Sequence, residues 1–155
     1  MGVLLFVAFN HYTTFIMREA MLITHLLGLA MGLGSSFAFM FLGIAGAKME
    51  KGEGRKFTLN TFAMSRMGHI GLTMLVLSGG YLMTPYWPIL SSSPILIAKL
   101  ILVLVLLVTV SLLTVYAKRA KKGETDANLK KIASLGKISL LSGISIVVLA
   151  VLMFR

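Results

Sequence analysis

Apolar runs alternate with short polar segments along this chain, and the runs are long enough to cross a bilayer. The first, from Leu22 to Ala47, reads LITHLLGLAMGLGSSFAFMFLGIAGA and predicts a spanning helix over 21–47. About 20 predominantly apolar residues suffice for a span. A second run predicts a span over 67–84, a third over 94–117 and a fourth over 137–154. Ser93 and Pro94 predict a clean start to the third helix, as N-cap and first helical residue. Pro85, Pro88 and Pro94 stop helices in the connection before it. Asp126 predicts a cap ahead of the fourth helix. Residues 3–9 are apolar but too short to span, and predict an interfacial segment leading into the first helix rather than a cleavable signal. Gly52 and Gly54 predict a break in the polar segment after the first span. The expectation is an all-α four-helix transmembrane bundle, residues 1–155 forming one domain in a lipid bilayer.

Composition agrees with the pattern. Of 155 residues, 57% are hydrophobic and 13% charged, and the mean hydropathy is +0.93. A soluble domain of this length could not hide that much apolar surface. Absence of cysteine excludes disulfides, thiolate metal sites and cysteine nucleophiles. Signatures of soluble enzymes, such as a phosphate loop or a dinucleotide fingerprint, are absent.

The net charge of +10 changes the picture only through its distribution. Five basic residues lie from Lys48 to Arg66 and seven from Lys118 to Lys137, with none between the second and third spans. This is a membrane-orientation pattern rather than a nucleic-acid-binding one. By the positive-inside rule both basic connections face the cytoplasm, so both termini of a four-span chain in a cell inner membrane face outward.

That orientation gives polar residues a depth. His25 lies about one turn below the outer surface and Lys99 at a similar level. His69 lies near the cytoplasmic surface, with Arg66 just before it. At about 1.5 Å per residue the two histidine levels differ by roughly 20 Å, too far to share one haem iron. His25 reads either as a histidine bonded to a neighbouring helix or as an axial haem ligand, metal ligand or proton-transfer group. Gly28 and Gly32 beyond it leave room for a flat macrocycle or for a close helix. Lys99 interrupts an otherwise aliphatic helix. It either snorkels to the interface or meets a ligand carboxylate, since no acidic residue lies within the spans. Met17, Met21 and His25 share one helix face, a donor set suited to Cu(I). His69 reads most simply as an interfacial pair with Arg66, a second ligand-binding site at the inner face being the other reading. His11 is unassigned. The glycine load, 15 residues, predicts close helix packing and a homo-oligomer.

Three stretches resemble one superfamily of small four-span membrane proteins. They are THLLGLAMGLG in the first span, RMGHIGLTMLVLSGG opening the second, and LIAKLILVLVLL in the third. The superfamily includes the HemJ-type protoporphyrinogen oxidases and the CopD copper-resistance proteins. The tryptophan usual after the first-span histidine is missing here, as is the Pro-Arg end of that span. The resemblance implies a haem b or porphyrin site with His25 and Lys99 as the functional pair. It also implies an oxidoreductase passing electrons to a membrane partner such as a quinone. A copper-handling protein and a non-catalytic accessory subunit are the other readings.

Overall fold

The computed structural model describes residues 2–122 and 125–153, all helical apart from short turns. Five α-helices follow one another: α1 (Gly2–Ala47), α2 (Lys51–Thr61), α3 (Ser65–Met83), α4 (Pro94–Lys121) and α5 (Thr125–Met153). Single 3-10 segments, Phe62–Met64 and Thr84–Ser92, precede and follow α3.

Three stretches are long and apolar enough to cross a membrane: Phe9–Ala47, Pro94–Lys121 and Ala127–Leu152. The chain is therefore a multi-pass membrane protein. The 19-residue α3 falls outside that set.

The core has the composition of a membrane bundle. Small polar residues are buried, with Ser78 0%, Ser35 3% and Thr109 5% exposed, while Leu77, Leu141 and Val151 are 69%, 65% and 64% exposed. In water this would be an inverted protein. In lipid the aliphatic side chains face hydrocarbon, and small residues let the helices meet. The buried hydroxyls are satisfied along their own helices, Ser35 by the Gly32 carbonyl and Thr109 by that of Val105.

Two helix pairs build the bundle. α1 packs against α3 and α4 against α5, and α5 also lies on α1. α1 and α3 run antiparallel and cross where glycine replaces side chains. A Cβ on Gly71 would lie 2.7 Å from the Gly32 nitrogen and 2.8 Å from the Gly28 oxygen. One on Gly68 would lie 2.9 Å from Ser35 Oγ.

Several boundaries differ from those the sequence predicts. The N-terminal segment is not a separate interfacial helix: α1 is continuous over 46 residues. Within its polar stretch the Thr13 and Thr14 hydroxyls are satisfied by the carbonyls of Phe9 and Asn10 one turn back. Gly52 and Gly54 do not break the chain. The break falls at Lys48–Glu50, and α2 runs through both glycines. Gly54 is used for close approach instead, since a Cβ there would lie 2.5 Å from the Gly46 oxygen. Ser93 and Pro94 do open α4, although the Ser93 side chain makes no capping hydrogen bond. The expected capping side chain of Asp126 lies outside the described residues.

Candidate functional site

The α1–α3 crossing fixes His25. His25 lies about two turns before Gly32 on α1. Because α3 runs antiparallel, it meets the residues about two turns beyond Gly71. Its Nδ1 lies 2.9 Å from Ser78 Oγ. A Cβ on Gly79 would come within 3.2 Å of its Cε1, so glycine at 79 gives the ring close access to α3. Ser78 Oγ donates its own hydrogen to the Met74 carbonyl. Its oxygen must then accept from His25, so the network assigns the proton to Nδ1 and the lone pair to Nε2.

His69 is held differently. Its Nδ1 lies 2.6 Å from the Ser65 carbonyl and its Nε2 lies 2.7 Å from Thr114 Oγ1 on α4. Both ring nitrogens are engaged, and the residue ties α3 to α4. The sequence places His69 at the headgroups beside Arg66; the structure turns it toward α4 and leaves Arg66 exposed. The separation of the histidine levels is also smaller than expected. His25 is level with Ser78, nine residues from His69 along α3, or about 14 Å. Counting inward from predicted span ends overshoots because the short α3 holds both levels within its 19 residues. The conclusion drawn from depth survives, since two axial nitrogens on one iron must lie only about 4 Å apart at ordinary metal–nitrogen distances of about 2 Å.

Lys99 sits in the second turn of α4 and is partly buried. Its charge acts on the His25 ring, with no hydrogen bond between them. Among the described residues it has no acidic partner. The structure thus brings the Lys99 charge within reach of His25.

The small residues next to His25 receive a helix. A Cβ on Gly28 would lie 2.8 Å from the Gly71 oxygen, and Gly32 faces Leu75. Any flat ligand reaching Nε2 must therefore approach from a side not packed on α3. A shallow groove of about 420 Å³ runs beside Ser78, lined by Met21, Thr24, His69, Thr73, Met74 and Leu77 among others; His25 itself is not part of its lining. Its walls are mostly apolar, as a macrocycle would require. Met21 is partly exposed, and Met17 and His11 are exposed on α1. Among the described residues no three His, Cys, Asp or Glu side chains converge as a metal site. The donors on this part of α1 are the His25 imidazole and, on the same helix face, the Met17 and Met21 thioethers.

Ser78 and Thr114 are the partners that sequence reasoning misses. The available signal is a hydroxyl at a mid-helix position in an apolar run, but which histidine it meets depends on helix register. No protein-family model, curated protein or solved structure matches the chain.

Proposed function

We propose that this chain is a haem- or porphyrin-binding membrane protein, similar in plan to the HemJ-type and CopD proteins. The single observation that carries the reading is the His25–Ser78 hydrogen bond, which uses Nδ1 and leaves the Nε2 lone pair. Metal-ligating histidines are typically held in this way, the second nitrogen fixing tautomer and ring orientation. His25 would hold the iron through Nε2, and Ser78 would keep the ring from turning. Lys99 would neutralise a propionate or substrate carboxylate, a role for which a partly buried cation with no acidic partner among the described residues is suited. Haem b, when bound, would supply the redox chemistry. As an enzyme the protein would oxidise protoporphyrinogen and deliver the electrons to a membrane acceptor such as a quinone.

In this reading α3 is the fourth span. Its 19 residues rise about 29 Å, close to the hydrocarbon thickness. Both basic connections would face the cytoplasm, with both termini outside, in a cell inner membrane. Glycines with open space around them, Gly43, Gly80 and Gly136, favour a homo-oligomer. The lack of native cysteine makes the topology simple to test. A Ser91→Cys protein in intact cells is expected to react with a membrane-impermeant maleimide, and a Lys56→Cys protein is not. Equal labelling of the two would remove α3 from the spans.

The ligand is tested by purifying the protein in detergent after expression with ample haem precursor and copper. A Soret band is expected, and it should weaken in Lys99→Met. Copper without pigment would favour copper handling by Met17, Met21 and His25. Colourless, metal-free protein would leave an accessory subunit without a cofactor.

A further inference from the structure

The two basic connections meet at one end of the bundle. Lys121 Nζ, in the last turn of α4, lies 5.9 Å from the ring centre of Phe62, just after α2. Lys131 Nζ on α5 lies 5.1 Å from the Tyr116 ring centre on α4, and Arg119 lies 6.0 Å from the same ring. These rings hold cations from neighbouring helices at one level by attraction to their faces. Lys118, Arg119, Lys121, Lys122, Lys130 and Lys131 are all exposed there. Basic residues in the last turn of α4 complement the helix dipole, but six are far more than that requires. Residues 118–137 contain seven basic residues and only Glu124 and Asp126 as acids, leaving a local charge of +5.

The charge lies directly above apolar surface. Leu112 and Val115, one turn below on α4, are 41% and 44% exposed, and Ile138 on α5 is 44% exposed. A partner for this end needs phosphate at one end and hydrocarbon at the other. We propose that this end of the bundle is a docking surface for anionic phospholipid, with phosphate among Lys118, Arg119, Lys130 and Lys131 and acyl chains along Leu112 and Val115. Tyr116 is the shelf that orders the cations. Nucleic acid and soluble phosphates match the charge but leave the aliphatic surface below it unused. This docking is independent of any porphyrin at His25.

Native mass spectrometry of the full chain in detergent tests it, with phosphatidylglycerol and phosphatidylcholine as probes. Wild type is expected to hold phosphatidylglycerol at least about tenfold more tightly. A basic residue near a membrane surface contributes about fivefold to anionic-lipid affinity. Replacing Lys118, Arg119, Lys130 and Lys131 by glutamine should therefore remove the preference, lowering phosphatidylglycerol binding by at least about tenfold to the phosphatidylcholine level. Phosphatidylcholine binding should not change, which also reports that the variant is folded. Tyr116→Leu keeps every charge and should lose about two- to fivefold, while Tyr116→Phe should bind as wild type. Equal binding of the two lipids by wild type would overturn the proposal, as would undiminished phosphatidylglycerol binding by the glutamine variant. Displacement of phosphatidylglycerol by equimolar glycerol 3-phosphate would also overturn it, assigning the surface to a small soluble phosphate.

Discussion

Gly71→Val is expected to separate α1 from α3 and cost at least about 3 kcal/mol of stability, the upper part of the range for overpacked sites. The new Cβ would lie 2.7 Å from the Gly32 nitrogen, 2.8 Å from the Gly28 oxygen and 2.9 Å from Met31 Cβ. Two of those atoms are backbone, so no rotamer change relieves the clash and the helices must move apart. His25 and Ser78 lie about two turns along the same interface, so their hydrogen bond is expected to fail with it. Gly43→Ala is the matched control, because nothing lies within 4 Å of a Cβ there. Gly68→Ala should fall between, since the close atom it meets is a single serine hydroxyl rather than backbone. Thermal unfolding in detergent ranks the three. Equal midpoints for Gly71→Val and Gly43→Ala would mean that α1 and α3 do not cross here.

Much of this crossing is legible in the sequence. The spacing of Gly28 and Gly32, and the glycines of the second apolar run, announce a close helix contact before any partner is known. Ser93-Pro94 marks the start of α4 for an equally local reason. Glycine is ambiguous where the chain is polar. Gly52 and Gly54 look like helix breakers by soluble-protein rules, yet Gly54 serves close contact with Gly46. The N-terminal segment reads as an interfacial lead-in to the first span, and α1 instead runs through it with the Thr13 hydroxyl bonded back along the helix. The site divides in the same way. His25 and Lys99 stand out because each is an ionisable residue in an apolar run. Ser78 and Thr114 do not, because their meaning depends on which turn of a neighbouring helix lies opposite. That one His25 nitrogen meets a side chain of α3 while both His69 nitrogens are engaged is therefore a property of register.

His25→Ala is expected to abolish haem retention, because it removes the imidazole between α1 and α3 whose Nε2 is left open, whereas both nitrogens of His69 are engaged. Ser78→Ala should be milder and more informative. It keeps the ligand but removes the acceptor that fixes its tautomer, a loss typically of about 10- to 100-fold in metal affinity. His69→Ala should leave haem affinity unchanged while weakening the tie to α4, since interhelical hydrogen bonds in membranes contribute about 0.6 kcal/mol on average. The most direct measurement is a haem titration of detergent-purified protein followed at the Soret band, comparing wild type with these three variants. The account predicts saturable binding in wild type and His69→Ala, weaker binding in Ser78→Ala and none in His25→Ala. Saturable binding retained by folded His25→Ala protein, or no binding by wild type, would contradict it.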